Sequence, residues 1–246
     1  MVLPDMPQDT ALAARAAYPQ GDVYLQLGDQ ANALLDSLEM ELLDPNHFRS
    51  GLFLCRMALV TIFQYLESLA DRQAIEAVRS RLDWKYALHL PVGYPGFYPS
   101  ALREFRNCLL VDSLSQALFL EILERLSVIG VVNIHDLGQK PHLQILRIVS
   151  DLTYLQQLTD QMNQAIEALA ACHPDFLLKV ARPHWYARYK GITASTDLPD
   201  RRAQAEIEVN SIKEDALYLL DVISRAHNPS LDSLPEIIAL HQMCLT

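Results

Sequence analysis

The stretch of chain that decides the fold runs from Arg56 to Arg106 and reads RMALVTIFQYLESLADRQAIEAVRSRLDWKYALHLPVGYPGFYPSALREFR. From about Ser50 to Leu69, apolar side chains recur at intervals of three and four, which is the spacing of one helical face. Asp71 can then cap a second helix after a tight turn. The buried stripe of that second helix is predicted to consist of Ile75, Val78 and Leu82. The stretch therefore predicts a helix, a tight turn and another helix.

Positive charge is concentrated in the same stretch. Residues 47–108 hold eight Lys and Arg against five Asp and Glu, whereas residues 1–46 hold one against eight and residues 109–175 hold three against eight. Cations grouped on short helices are typical of a surface that follows a phosphate backbone, even in a chain of net charge −10. Because Arg81 and Lys85 are four residues apart, we expect them to project outward together. The candidate DNA-binding residues are Arg79, Arg81, Lys85, Arg103 and Arg106.

The rest of the sequence predicts an all-α or mainly α fold. Residues 1–24, punctuated by Pro and Asp, predict a loose arm, and residues 25–43 predict an acidic helix that ends before Pro45. Gly130 is expected to close a helix in the left-handed conformation. The sequence from Val131 to Ile134 is the only strand candidate, so at most one or two short strands are expected near residues 131–135. Further helices are predicted from Ser100 onward and over residues 114–129, 143–171, 200–226 and 234–243.

Length and composition describe a globular chain. It has 246 residues, half of them apolar, which is enough to bury a sizeable core. No run approaches the roughly 20 apolar residues of a membrane span. Pro4 and Asp5 stand where a signal peptide would be basic and then apolar, so we expect a cytoplasmic protein with no membrane partner. The four cysteines lie more than fifty residues apart, which predicts reduced thiols and no zinc site.

The sequence contains no motif for a bound cofactor or metal. The eight histidines form no HExxH pattern, and no glycine-rich phosphate loop of the GxGxxG or GxxxxGK[ST] type occurs. We therefore predict no cofactor-binding, metal or catalytic residues in this chain.

The basic stretch also carries a resemblance to a known family. The chain is similar to the N-terminal part of InsH-type bacterial insertion-sequence transposases, over nearly its whole length but only about the first half of a complete transposase. The matching segments are residues 16–19, Leu66 to Leu88, Pro95 to Phe97, Ser100 to Arg106, Pro174 to Leu177 and Trp185 to Tyr189.

The resemblance implies three segments. Residues 1–47 would form an N-terminal arm and acidic helix, and residues 48–110 the family's DNA-binding domain. Residues 111–246 would be a helical region that corresponds to a truncated start of the catalytic half.

The resemblance also implies a DDE transposase, in which three carboxylates on an RNase H-like fold hold two Mg²⁺ ions for phosphodiester chemistry. The position of the first such Asp falls on or beside Pro141, where no acid stands. Asp136 lies five residues upstream in an Asp-Leu-Gly sequence and is better explained as a solvated loop residue. Mg²⁺ is thus implied for the complete family enzyme, while this chain alone is expected to bind and not to cut.

A second group of cations alternates with aromatic residues near the end of the resemblance. Such a group can contact phosphates and stack on bases, but Trp and Tyr at helical spacing are also typical of a helix that faces a core, and we favour the core interpretation. Arg56 and Arg72 are as well explained by pairing with acids on adjacent helices. The residues of the second group are Lys179, Arg182, Trp185, Tyr186, Arg188, Tyr189 and Lys190.

Three hypotheses for function follow. The leading one is a transposase portion that binds the terminal inverted repeats of a transposon, with about five neutralised phosphates and a salt slope on the order of −4 to −5. The second is a helical protein that associates with a full-length transposase or with a second copy of itself. The third is a transposase remnant without function.

Overall fold

The computed structural model describes residues 3–35, 51–98, 100–189 and 198–245, with the side chains of 198–206 left out. In these ranges the chain forms thirteen α-helices and one short 3-10 helix, and no strand. The prediction of an all-α fold is confirmed. By length and composition, no single helix within these ranges could span a membrane.

The chain divides into two compact units, residues 1–150 (unit 1) and 151–246 (unit 2), with the boundary inside the long helix α8. The three segments predicted from the sequence remain a prediction. The helices of unit 1 are α1 (Gln8–Ala17), α2 (Val23–Leu35), α3 (Gly51–Glu67), α4 (Asp71–Ser80), α5 (Leu82–Ala87), α6 (Ala101–Val111), α7 (Ser113–Val128) and the 3-10 helix (Ile134–Leu137). The helices from the unit boundary onward are α8 (Pro141–Cys172), α9 (Pro174–Val180), α10 (Pro183–Tyr189), α11 (Leu198–Ala226), α12 (Pro229–Asp232) and α13 (Pro235–Cys244).

Helix α3 lies at the centre of unit 1. Its apolar residues are buried on nearly all sides, as the continuous run from Met57 to Phe63 requires, and it packs against α4, α6 and α7. Phe63 meets Tyr24 of α2 and Trp84 of α5 edge-on, at centroid distances of 4.8 and 5.2 Å. Each such fully buried side chain stabilises the fold by about 1.5–3 kcal/mol. The aromatic cluster therefore ties three helices to one another.

The prediction of a loose N-terminal arm is wrong, because α1 docks on α5 and the segment that follows it. The hydroxyl of Thr10 donates to the carbonyl of Leu90 at 2.7 Å, and Arg15 donates to the phenol oxygen of Tyr86 at 2.7 Å. Helix α2 approaches α5 closely at Gly28, where an added Cβ would lie 2.4 Å from the Tyr86 ring. Most of the Pro and Asp residues that suggested a loose arm flank this helix, and Asp9 lies in its first turn. The rest of the predicted acidic helix, residues 36–43, lies outside the described residues.

The predicted strand at Val131 to Ile134 is also wrong. Ile134 begins the 3-10 helix, and the side chain of Asn133 accepts from the backbone N–H of His135 to cap it. Val132 is buried without a partner strand in the described part of the chain, so its β-branched pattern serves core packing. Gly130, with φ +77°, closes α7 as predicted.

The core of unit 2 forms between the later part of α8, α10, α11 and α13. Its fully buried positions include Leu158 and Met162 of α8 and Leu219 of α11. Trp185 of α10 is 3% exposed and packs edge-on against Tyr189 and Tyr218. The core interpretation is confirmed for Trp185 and Tyr189 but is wrong for Tyr186, which is 68% exposed.

Candidate nucleic-acid interface

Helices α3 and α4 meet at a tight turn. The chain direction changes by 109° across the three residues between Glu67 and Asp71. Ser68 adopts a left-handed φ of +54°, and the backbone N–H of Leu69 donates to the carbonyl of Gln64 at 2.9 Å. Two helices at 90–120° joined by a turn of three or four residues are the geometry of a helix-turn-helix motif. The predicted helix, turn and helix are confirmed, but the predicted buried stripe is right only at Val78. Ile75 is partly buried, Leu82 begins α5, and Ala74 and Ala77 complete the buried face of α4.

The start of α4 differs in detail from the prediction. Ala70, not Asp71, occupies the N-cap position, and its backbone N–H donates to the Gln73 side chain at 3.0 Å. Asp71 is the first helical residue and accepts from Gln64 at 3.0 Å. The carboxylate of Asp71 has further acceptor sites and can also bind a cation from another helix.

That cation is Arg106 of α6, whose predicted outward orientation is wrong. Its two terminal nitrogens donate to the two carboxylate oxygens of Asp71, both at 2.7 Å, in the bidentate arrangement typical of strong Arg–carboxylate pairs. The two side chains are only 9% and 14% exposed. Arg106 thus holds α6 against the start of α4.

The second helix is also shorter than predicted, and this moves two further cations. Arg81 has an extended backbone (φ −89°, ψ 130°) that separates α4 from α5, so that the two helices do not share one face. Lys85 consequently points inward, is 4% exposed and donates to the carbonyl of Val92. The expectation that Arg81 and Lys85 project outward together is wrong for this reason.

Arg81 lies in a network of acids and aromatic rings. It pairs with Glu67 and, at 2.5 Å, with Asp83, and its guanidinium lies 5.1 Å from the centre of the Trp84 ring. Burial alone would lower the pKa of Arg81, but hydrogen bonds to Asp83 and Glu67 outweigh burial and raise it. Glu67 also accepts from the phenol of Tyr24. Arg81 therefore connects α2, α3 and α5.

Arg56 of α3 has a comparable internal role. Its guanidinium donates to the carbonyls of Leu88 at 3.0 Å and His89 at 2.9 Å, just after α5. Burial lowers the pKa of Arg56. The suggested acidic partner is thus replaced by backbone carbonyls that the end of a helix leaves without partners.

Two of the five candidate cations remain on the surface. Arg79 near the end of α4 is 62% exposed and pairs with Glu76, one turn earlier, at 3.0 Å. Arg103 of α6 is exposed, and no ion pair of Arg103 occurs in the described part of the chain. The connector between α5 and α6 packs against α4 at Gly96, where an added Cβ would lie 3.6 Å from the Cβ of Arg79. The outer face of α4 consists of Arg72, Gln73, Glu76, Arg79 and Ser80.

The second basic group has an organisation that sequence reasoning missed. Asp215 of α11 is 2% exposed, and Arg182 and Arg188 pair with it at 3.1 and 2.7 Å. Tyr189 donates to the same carboxylate at 3.0 Å. Asp215 is an acid on the apolar stripe of α11, next to Ala216 and three residues from Ile212. This acid within an apolar stripe was the sequence signal that could have pointed to the cluster. Lys190 lies outside the described residues.

The positions considered for catalysis belong to neither group of cations. Pro141 is the first residue of α8 and is buried, while Asp136 is exposed and accepts from Asn133 at 2.8 Å. In the described ranges, no three His, Cys, Asp or Glu side chains come together as they would to hold a metal ion.

Comparison with known protein families finds a match within unit 1. Residues 29–108 match the family model of a transposase domain (DUF772). The matched segment runs from within α2 into α6, and contains the α3–α4 turn and all five candidate cations. No curated protein and no solved structure matches the chain.

Proposed function

We propose that residues 29–108 form a DNA-binding module of an insertion-sequence transposase, and that α4 enters the major groove at the transposon's terminal inverted repeats. The observation that carries this proposal is the 109° helix-turn-helix inside the matched transposase domain. In such motifs the second helix reads base edges and the first crosses the backbone.

The dimensions and surface of α4 suit this role. A helix with its side chains is about 10–12 Å in diameter, which a major groove about 12 Å wide accommodates, and the ten residues of α4 give it a length of about 15 Å. Its outer face presents Arg72 and Arg79 together with Gln73, and Arg and Gln are residue types that bond to guanine and adenine edges. The buried face, Ala74, Ala77 and Val78, fixes which side of the helix meets the groove.

The candidate cations then divide into two roles. Arg79 and Arg103 are exposed and would contact DNA directly. Arg81, Lys85 and Arg106 would position the helices that carry them, because their charges are already bound within the fold. With two or three phosphate contacts instead of five, the slope of log affinity against log salt becomes roughly −2 to −3.

The chain is proposed to bind and not to cut by itself. The position at which the resemblance places the first catalytic Asp falls on or beside Pro141, where no carboxylate stands to bind a metal ion. Mg²⁺ would then act only in a complete family enzyme, where it stabilises the attacking and leaving oxygens of a phosphodiester.

The test compares variants that remove one exposed arginine each. Arg79→Gln and Arg103→Gln are titrated with a duplex carrying the terminal inverted repeat and with a scrambled duplex, by fluorescence anisotropy. If Arg79 reads bases, its variant loses about tenfold in affinity for the repeat and less for the scrambled duplex, whereas Arg103→Gln weakens both equally.

Arg225→Gln is the matched control. Arg225 is 77% exposed and pairs with Asp221 one turn earlier, as Arg79 does with Glu76, so the variant makes the same change of charge in unit 2. Equal losses in Arg79→Gln and Arg225→Gln would show that net charge, not α4, decides binding.

A specific observation favours the second candidate function, association with a full-length transposase or with another copy of the chain. Leu110, Val111 and Leu114 are 59%, 86% and 43% exposed around the junction of α6 and α7. Co-purification of the chain with a full-length transposase in the absence of DNA, lost on Val111→Asp, supports this function. Retention of DNA binding by the same variant would assign the two activities to separate surfaces.

A further inference from the structure

Unit 2 contains a cluster of basic side chains with more positive charge than its one acid neutralises. Arg182, His184 and Arg188 surround the carboxylate of Asp215 and are named here the Asp215 cluster. Two arginines and one carboxylate leave a net charge of +1. Among the described side chains, no second acid pairs with either arginine.

The geometry fixes the three basic groups while leaving them accessible. Asp215 is 2% exposed, whereas the side chains of Arg182, His184 and Arg188 are 38%, 47% and 34% exposed. The guanidinium of Arg182 also stacks on the Tyr218 ring, 3.9 Å from its centre. Each of these side chains is therefore held on one side by contacts within unit 2 and exposed to solvent on the other.

The donors on the open side are not used up. An arginine has five N–H donors, and one nitrogen of each arginine bonds to Asp215. His184 Nε2 lies 3.1 Å from both carboxylate oxygens and donates to them, since an ionised carboxylate only accepts. Burial alone would raise the pKa of Asp215, but the surrounding donors, including His184 and Tyr189, outweigh burial and lower it. Asp215 is therefore a fixed anion that orients its neighbours.

Two guanidinium groups bound to one carboxylate repel each other, and an anion on the open side would relieve that repulsion. Preorganised guanidinium donors in a fork suit a tetrahedral oxyanion with several acceptor oxygens, and phosphate has this chemistry. We infer that Arg182 and Arg188 form a binding site for a phosphate group on unit 2, oriented by the buried Asp215, to which His184 also donates.

The phosphate could belong to a nucleic acid backbone or to a small phosphate ion, and the two sources share the recognition chemistry. The inference does not depend on the proposed DNA-binding role of α4, because the cluster lies outside residues 29–108.

The experiment uses the full chain and inorganic phosphate as the probe. Isothermal titration at constant ionic strength, balanced with sodium chloride, is expected to show saturable binding to the unaltered protein. Arg182→Gln and Arg188→Gln each weaken that binding by about tenfold or more, the loss expected for one charge-assisted hydrogen bond. Arg225→Gln, an equal change of charge on the same α11 that carries Asp215, leaves it unchanged.

A second measurement needs no variant and so does not depend on how well the variants fold. Phosphate should raise the melting temperature of the unaltered chain above its value in chloride of equal ionic strength, as any ligand of the native state does. Absence of both the saturable heat and the thermal shift overturns the inference, and so does equal binding by a folded Arg188→Gln variant.

Competition then identifies the source of the phosphate. In an Arg79→Gln/Arg103→Gln background, which removes the proposed contacts of unit 1, displacement of phosphate by a duplex of arbitrary sequence assigns the site to a nucleic acid backbone. Phosphate binding without such displacement assigns it to a small phosphate ion. Loss of repeat binding in this background with intact phosphate binding separates the two proposals.

Discussion

The two units treat buried acids in opposite ways. In unit 1, Asp71 and Arg106 form a one-to-one pair in which both side chains are nearly buried and both carboxylate oxygens are used. In unit 2, Asp215 holds two arginines and a histidine, each more than a third exposed to solvent. In the Asp71–Arg106 pair the two charges cancel, so no charge is left to bind a partner. The Asp215 cluster keeps a net positive charge that can bind one. From the sequence alone, Arg106 and the arginines around Asp215 would both be described simply as basic residues.

The largest effect is expected from breaking the saturated pair. Asp71→Asn leaves the Arg106 guanidinium buried without its carboxylate, and removing one partner of a buried ion pair costs about 3–5 kcal/mol. The chain has two tryptophans, Trp84 in unit 1 and Trp185 in unit 2, so urea unfolding followed by fluorescence in a Trp185→Phe background reports on unit 1. A loss of less than about 1 kcal/mol, the range of exposed pairs, would contradict the buried pair.

A smaller effect is expected from Asp215→Asn. The variant removes the charge that holds Arg182 and Arg188 together, but both guanidinium groups can turn to water, so the loss is about 1–3 kcal/mol. Unfolding of unit 2 is followed by Trp185 fluorescence in a Trp84→Phe background. A loss as large as that of Asp71→Asn would mean that the two sites do not differ as described.

The change in the stability of unit 2 with pH should be smaller than the effect of Asp215→Asn, and its direction can be predicted. Because the pKa of Asp215 is lowered in the folded chain, its ionised form stabilises unit 2 above the ordinary value of 3.8, and this stabilisation is lost as the pH falls through the folded pKa. The pH dependence of unfolding, measured from pH 5 downward, should flatten in Asp215→Asn. If the pH dependence of unfolding is the same in Asp215→Asn as in the unaltered protein, Asp215 is not its source.

The smallest effect on stability is expected at Glu76 of α4. It is 55% exposed, and loss of its pair with Arg79 in Glu76→Gln should change stability by no more than about 0.5 kcal/mol. If α4 faces phosphates, removing this carboxylate should strengthen DNA binding by about fivefold or less. Weaker binding by this variant would contradict the placement of the outer face of α4 against phosphates.

Much of the fold could be predicted from apolar spacing. The helices at α3, α7, α8 and α11 follow long periodic stretches, and the left-handed glycine after α7 follows from the chemistry of helix ends. Helix α1 was missed because its Pro and Asp residues are also typical of loops, and its docking depends on Leu90 and Tyr86, more than 70 residues away.

The candidate site was harder to predict, because helical spacing shows which residues share a face and not which of them find partners. The break at Arg81 turned Lys85 inward, and no glycine or proline marks that break. Arg106 lies only three residues after Arg103, yet its partner Asp71 is 35 residues away. Partners so distant in sequence become visible only in the folded chain.

The most direct test of the account is the salt dependence of binding to the terminal inverted repeat. Two or three exposed phosphate contacts predict a slope of log affinity against log salt of roughly −2 to −3, reduced by about one in Arg103→Gln and unchanged in Arg225→Gln. A slope near zero would contradict the proposal that α4 and α6 of unit 1 bind DNA.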